Sequence, residues 1–497
     1  MVSAEKISMK NMTLQALTKA CNGELHYYSE DAVESKEATS VVIDSRQITE
    51  GGIFIATVGE RVDGHSFIEQ VFEKGALGVI CEKLPDKPYG PCILVKDSFK
   101  ALKDAAAYYR EQLKCTVIGI TGSVGKTSTK EFIATVLSEK YKVCKTIGNF
   151  NNEVGMPLTI LSAREADEVL VLEMGINHFG EMERMAAIAR PDMAVITNIA
   201  NCHLEFLGDR DGVLKAKTAI FTGMKEGSKA FLNADDDKLA TVTKVCGARP
   251  VFYGIRKKQI PPDYYISEYM TKGLLGTDAV VISRITGENI PVSIRLPGEH
   301  MLYNALAATA VGEAMGMSGD AIASGIGKVA ATAGRGNIIA GKDYTIIDDC
   351  YNANPSAMRY ALKLLGLADT RKVAILGDMF ELGEGASALH REVGEAAARS
   401  DADVIVCVGS LSRAMYEGAL TGLKSASEAL APSIAEDPDS QENDNTAVYE
   451  GVRLIYFKDK ERLKTGLPHI IRKGDSVLVK ASHGMGFAEI VDILKEE

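Results

Sequence analysis

The sequence is short of the features that would place it in a membrane, outside the cell or on nucleic acid. No run approaches the roughly 18 consecutive apolar residues of a membrane span. The stretch from Met1 to Ala20 mixes charges with short apolar pieces and holds no signal-peptide core. Basic charge is in deficit: 56 Lys and Arg against 67 Asp and Glu leave a net −11 and a pI near 5.4. A nucleic-acid partner would favour a basic face, so none is expected. Nine cysteines are scattered singly without a C-x-x-C pair. That speaks against a disulfide framework and a zinc site, and a reducing cytosol is the expected home. What remains is a chain of 497 residues, 46% hydrophobic and 25% charged. It is long enough for about three globular domains, each with its own core.

One further absence is local. The general phosphate-loop pattern wants a glycine five residues before Gly125, and position 120 is Ile. What stands there is a narrower variant: the apolar run Val117–Ile120, then Thr121, Gly122, Ser123, Val124, Gly125, Lys126, Thr127 and Ser128. A helical pattern follows through Phe132, Ile133, Val136 and Leu137. Strand, glycine loop, Lys-Thr and helix form the phosphate-binding arrangement. Glycines let backbone N–H groups turn around phosphate oxygens, and the helix N-terminus adds partial positive charge. Lys126 would meet the β- and γ-phosphates, and the Thr127 hydroxyl would meet Mg²⁺. An acidic protein can do this, because the loop acts locally.

Along the chain, strands and helices alternate in three sections, giving an α/β protein with expected domains at 1–113, 114–335 and 336–497. The first is a small α/β domain with strands near Val41–Ser45, Gly52–Thr57, Gly78–Cys81 and Cys92–Val95, and helices over His65–Lys74 and Ser98–Leu113. Its conspicuous polar feature is Asp44-Ser45-Arg46 at a strand end. Arg suits a diphosphate or carboxylate, and the tripeptide fits a surface salt bridge equally well. The second is a parallel-sheet nucleotide domain. Glu173 ends the strand Glu168–Glu173, where an open α/β sheet has its ligand crevice, and a carboxylate there is a good Mg²⁺ ligand or a cap for the next segment. The amide-rich Gly148–Gly155, with Asn151 and Asn152, suits a sugar or amide ligand, and alone is more often a turn. His203 follows the strand Met193–Thr197 on the same side, and is open to a structural, metal or phosphate role. Lys215 and Lys217 read as surface charges at the start of a helix. Residues 266–294 read as β-rich, and an alanine-rich helix opens near Gly298–Ala308. Gly334-Arg335-Gly336 looks like a hinge. The third section has strands at Tyr344–Asp348, Lys372–Leu376, Asp403–Val408 and Asp475–Val479, indicating a dinucleotide-fold-like sheet. The acidic piece 436–445 reads as a mobile surface insertion.

Seven pieces occur in one order: Gly122–Ser128, Gly148–Gly155, Glu173–His178, His203-Leu-Glu205, Asn304, Asp348-Asp-Cys-Tyr-Asn-Ala-Asn-Pro355 and Gly377-Asp-Met-Phe-Glu-Leu-Gly383. Together they resemble the Mur ligase family over nearly the whole chain. The resemblance implies a small N-terminal domain for a UDP-linked substrate, a central ATPase-like domain and a C-terminal Rossmann-like domain. The Tyr351–Pro355 and Gly377–Gly383 sets imply the member that joins D-alanyl-D-alanine to a UDP-N-acetylmuramoyl-tripeptide, with ATP and Mg²⁺; a cytoplasmic monomer is the default expectation. It implies an acyl-phosphate route, since a carboxylate is inert to amines until it carries a leaving group.

Carried over by motif position, Lys126 would stabilise the transferring phosphate and Thr127 the first Mg²⁺. Glu173, His203 and Lys217 would hold the second, with Lys217 carbamylated. Gly122 to Ser128, Asn304, Arg335 and Asp349 would bind ATP. Ser45 and Arg46 would meet the uridine diphosphate. Asn151 and Asn152 would line the muramoyl-peptide's path, and Tyr351, Asn352 and Asn354 belong to the substrate side. Val124 stands where the family often has Asn, and His483 stands where it commonly has Arg. Sibling amide ligases, namely other Mur ligases, folylpolyglutamate synthase and the cyanophycin synthetase type, share the loop. A nucleotide-binding switch is the alternative outside enzymes. The siblings do not share the Tyr351–Pro355 set, and the switch reading does not account for the apparent metal set.

Overall fold

The computed structural model describes residues 8–27, 36–59, 62–255, 260–427, 445–449 and 451–496. Among them three sheets follow one another along the chain. The first uses β1 (Glu24–His26), β2 (Val41–Val42), β3 (Ile53–Ile55), β4 (Gly78–Cys81) and β5 (Cys92–Leu94), in the order β1-β5-β4-β3-β2. All pairs are parallel except the edge strand β1. Helix α1 (Ser98–Gln112) covers it, capped by Asp97, whose side chain accepts from the Lys100 N–H.

The second sheet is the largest. Its strands are β6 (Thr116–Thr121), β7 (Val143–Lys145), β8 (Val169–Glu173), β9 (Met193–Ile196), β10 (Lys229–Asn233), β11 (Val251–Gly254), β12 (Tyr264–Thr271), β13 (Thr277–Ser283) and β14 (Asn289–Ile294). The order is β14-β13-β12-β11-β10-β9-β6-β8-β7. Strands β7 to β12 pair in parallel, and β12, β13 and β14 form antiparallel hairpins. β6 is central, and Val117, Ile118 and Ile120 are all fully buried, as expected of a parallel strand covered on both faces. β10 and β11 have no counterpart in the sequence reading. Both are short and buried on nearly every residue, so they carry no period-2 alternation.

Three helices fix the ligand edge of this sheet. α2 (Lys126–Leu137) starts directly after the glycine loop. α3 (Arg210–Thr218) carries Lys215 and Lys217 in its last turn rather than at a helix start. The surface reading holds for exposed Lys215 but fails for Lys217, which is 1% exposed. α4 (His300–Ala314) is buried nearly all round, through Leu302, Ala305, Ala307, Ala308 and Val311, so its small residues let it sit tightly against α2.

The third sheet has seven strands: β15 (Asn337–Ala340), β16 (Thr345–Asp348), β17 (Lys372–Gly377), β18 (Val404–Val408), β19 (Asn445–Tyr449), β20 (Val452–Phe457) and β21 (Ser476–Lys480). Its order is β15-β16-β21-β17-β18-β20-β19, parallel inside and antiparallel at both edges. The acidic piece 436–445 lies, apart from Asn445, outside the described residues.

The helix Gly319–Gly327 braces α2 from behind. A Cβ on Gly325 would lie 2.6 Å from Val136 Cα, whereas one on Gly327 would meet nothing nearer than Ser293 O at 3.7 Å. Gly325→Ala is therefore expected to destabilise by about 1–3 kcal/mol through overpacking. Gly327→Ala should be neutral or stabilising by up to about 1 kcal/mol. Urea midpoints of the two variants check this, and equal midpoints would refute the packing argument.

Candidate active site

The phosphate loop is held from below. Gly122 has φ 149°, and a Cβ there would sit 1.9 Å from Thr197 Oγ1, so only glycine fits. The Ser123 N–H donates to Asn198 O at 3.0 Å and the Val124 N–H donates to Asn198 Oδ1 at 2.9 Å. Asn198 Nδ2 and Thr197 Oγ1 both donate back to Val124 O, at 3.1 and 2.6 Å. Val124 thus contributes only backbone, so its apolar side chain leaves the cradle intact. Gly125, at φ 83°, turns the chain into α2.

From α2 the side chains fan out. Lys126 Nζ donates to Gly122 O at 2.8 Å, curled over its own loop. Burial lowers its pKa, with Glu173 opposing that shift. Thr127 Oγ1 donates to Glu173 Oε2 at 2.8 Å. Glu173, 1% exposed, also accepts from Asn151 Nδ2 at 2.8 Å, and Lys130 Nζ lies 3.8 Å away. Thr129 Oγ1 donates to Asn304 Oδ1 at 2.8 Å, tying α2 to α4.

A cavity of about 1070 Å³ opens over these groups, between the central and C-terminal domains. It is lined by Ser123, Val124, Gly125, Lys126, Ser128, Asn151, Asn152, Glu173, His203 and Asn304 on one side. Arg335, Asp349, Tyr351, Asn352 and Asn354 line the other. The Arg335 guanidinium lies 4.0 Å from the centre of the Tyr351 ring, a cation–π stack. Asp349 Oδ2 accepts from buried Lys480 Nζ at 2.6 Å, which also donates to Asn352 O at 3.0 Å. The amides divide in role. Asn151 reaches Glu173, whereas Asn152 Oδ1 accepts from the Val154 and Gly155 N–H groups, and Asn354 caps the helix Pro355–Leu365. The last two are turn and cap residues that also face the cavity.

His203 lies at the domain boundary, with Nδ1 3.0 Å from Glu381 Oε2 of the C-terminal domain. The imidazole holds the Glu381 carboxyl below the usual range, with burial opposing. Lys217 does not line the cavity. It lies buried behind the loop, where burial, reinforced by Lys126, brings its pKa down to about 8. Gly122 and Thr127 likewise sit beneath the lining. Ser45 and Arg46 are not brought to this cavity. Arg46 is exposed and pairs with Asp44 at 2.7 Å, and Ser45 O accepts from Lys74 Nζ at 2.9 Å. His483 stacks its ring 5.5 Å from Tyr351.

The donor set suits a hard divalent cation. Thr127 and Glu173 present oxygens side by side. Among the described residues no group of three or more His, Cys, Asp or Glu forms a cage. That fits an ion bound through few protein oxygens plus substrate phosphates, as Mg²⁺ prefers. The sequence reading missed Asn198, Thr197, Lys130 and Glu381. Asn198 had a signal in its position just beyond a parallel strand, and Glu381 lies within the Gly377–Gly383 set, though neither was assigned a role.

Three family models match in order: "Mur ligase family, catalytic domain" over residues 37–110, "Mur ligase middle domain" over 120–312 and "Mur ligase, glutamate ligase domain" over 334–483. The chain is 34% identical over 461 residues to the UDP-N-acetylmuramoyl-tripeptide–D-alanyl-D-alanine ligase of Bacillus subtilis (strain 168), covering 92% of this chain and 93% of that one. It is 33% identical to the ligase of the same name from Escherichia coli (strain K12), covering 98% and 99%. Among solved structures, MurF from Acinetobacter baumannii superposes with TM-score 0.83 at 29% identity, over 99% of this chain and 100% of that one. MurF ligase from Thermotoga maritima in complex with ADP gives 0.75 at 28%, over 92% and 97%.

Burial of Lys217 has a pH signature. Its folded pKa, about 8, lies below the unfolded value of 10.5, so the unfolded chain binds the extra proton between those limits. Stability should therefore rise with pH through that window. Relative to Lys217→Met, the wild type should gain about 2 kcal/mol between pH 7.5 and 9.5. Urea midpoints in carbon-dioxide-free buffer check this, and a pH-independent difference would contradict it.

Proposed function

The chain belongs to the Mur ligase family, and from that premise we propose that it catalyses ATP-dependent addition of D-alanyl-D-alanine to a UDP-N-acetylmuramoyl-tripeptide. The single observation that carries this reading is end-to-end similarity to ligases of that name, 33–34% identical over at least 92% of the chain. The site's chemistry agrees with it. The γ-phosphoryl of ATP passes to the terminal carboxylate of the tripeptide, giving an acyl phosphate and ADP. The amine of D-alanyl-D-alanine then attacks the carbonyl carbon, the C–O bond to phosphate breaks, and the amine's proton is lost.

The residues divide this work by position. With the Ser123 and Val124 N–H groups committed to Asn198, the N–H groups of the first turn of α2 would meet the phosphates, with Lys126 over them. Phosphoryl transfer needs mainly positioning and charge neutralisation, which these groups provide. Arg335, Asn304 and Asp349 line the cavity and would hold the nucleotide. Asn151 orients Glu173 and lies on the path of the peptide. Ser45 and Arg46, remote from the cavity, fit the distant uridine diphosphate of a long substrate. Thr127 and Glu173 would hold Mg²⁺, with His203 and a carbamylated Lys217 on its second site. Bound there, the ions would neutralise charge on the transferring phosphate. A pKa near 8 leaves part of Lys217 as the neutral amine that carbon dioxide requires. We place the reaction in the cytoplasm, where ATP is supplied. No described helix is long and apolar enough to cross a membrane.

Phosphate release with ATP, Mg²⁺, the UDP-tripeptide and D-alanyl-D-alanine, omitting each in turn, tests the reading. Release should need all four and yield a pentapeptide mass. Release that ignores the dipeptide would refute it, and exchanging amino-acid acceptors would expose a sibling ligase. Lys126→Ala should lower kcat on the order of 10²–10³-fold, the cost of removing one positioned charge donor.

A further inference from the structure

We propose that Glu381, on the C-terminal domain, is a positioning residue for His203, on the central domain, and sets which ring nitrogen of that imidazole is free to accept. The proposal rests on the ligase reading above. His203 Nδ1 lies 3.0 Å from Glu381 Oε2, and both residues line the phosphate cavity. Nδ1 is closed off from solvent and has no hydrogen-bond partner of good geometry, so the Glu381 carboxylate 3.0 Å away is the group beside it. A proton held on Nδ1 beside a carboxylate leaves Nε2 as the lone-pair nitrogen, the pairing that typically orients a metal-binding histidine.

Backbone geometry marks the contact as built. His203 has φ 51° and Glu381 has φ 60°, a left-handed conformation that residues other than glycine rarely adopt. Two segments from different domains adopt it where they meet, and such strain concentrates at functional sites. Each segment is tied down. The Phe206 and Leu207 N–H groups donate to His203 O at 3.1 and 2.9 Å. The Met379 N–H donates to buried His390 Nε2 at 3.0 Å, and the Phe380 N–H donates to Ser482 Oγ at 2.9 Å. Gly383, at φ 63°, brings its backbone against Glu205, where a Cβ would lie 3.5 Å from Cα. Because the carboxylate arrives on another domain, the imidazole is oriented only in the domain arrangement seen here. The C-terminal domain therefore acts on the metal side of the cavity without touching the reacting atoms.

Mn²⁺ is the probe. Full-length wild type, Glu381→Ala, Glu381→Gln and His203→Ala are titrated with Mn²⁺ beside a non-hydrolysable ATP analogue, and free ion is read by electron paramagnetic resonance. Histidine ¹⁵N spectra at one pH report the tautomer. Glu381→Ala should weaken, by ten- to a hundred-fold, the same Mn²⁺ site that His203→Ala removes. It should also shift the His203 proton off Nδ1. Glu381→Gln keeps an acceptor oxygen and should fall between. Unchanged Mn²⁺ affinity and tautomer in Glu381→Ala would overturn the proposal and leave the pair as a domain latch, as would a His203→Ala variant that keeps every Mn²⁺ site. The omission assay on wild type tests the ligase reading separately, because Glu381 is untouched in it.

Discussion

The site depends on a close approach between two parallel strands' ends. Gly122 passes so near Thr197 that a side chain cannot be fitted, and Asn198 then takes hydrogen bonds from two successive loop residues. With the loop fixed to the end of β9, helix α2 can start in only one direction. Its first turns send Thr127 to Glu173 and Thr129 to Asn304. One steric constraint therefore places the phosphate cradle, the metal carboxylate and the α4 wall of the cavity together.

Charge follows from that placement. Burial disfavours the ammonium of both Lys126 and Lys217, and Lys126 adds to that effect on Lys217. A phosphate chain relieves this for Lys126, which already has Glu173 as a partial counter-charge. Lys217 has no carboxylate among the causes that shift it. As a neutral amine it escapes that repulsion, and the carbamate proposed above would replace a repelled cation with an oxygen ligand.

How legible this was depended on whether the signal was local. The glycine loop, the strand ending in Glu173 and the three alternating sections are patterns of neighbouring residues, and sequence showed them. The burial of Lys217 was not visible, because the last turn of a helix with charges at both ends of the chain segment reads as surface. Lys130, given no role from sequence, is likewise not on a solvated face: its Nζ is buried and donates to Thr146 O. Asn152 and Asn354 look like ligand amides but first satisfy backbone N–H groups, a competition that composition cannot resolve. Strands β10, β11 and β20 were passed over because pairing with existing strands, not their own periodicity, defines them.

The chemistry also constrains the domain boundary. An acyl phosphate is hydrolysable, so an amide ligase must bring the amine in before water arrives. Here the boundary residues are among those proposed to hold the ligands, and they line the cavity. Gly334 and Gly336, at φ 72° and 66°, flank Arg335, whose guanidinium is stacked on Tyr351 of the substrate set. The Gly334 N–H donates to Asp348 at 2.9 Å, next to Asp349 in the cavity wall. A rotation at these two glycines would carry Arg335, Tyr351 and Asp349 with it. Closing the cleft and gripping the nucleotide are then a single movement, and a ligand that binds those side chains biases the hinge by its differential contacts.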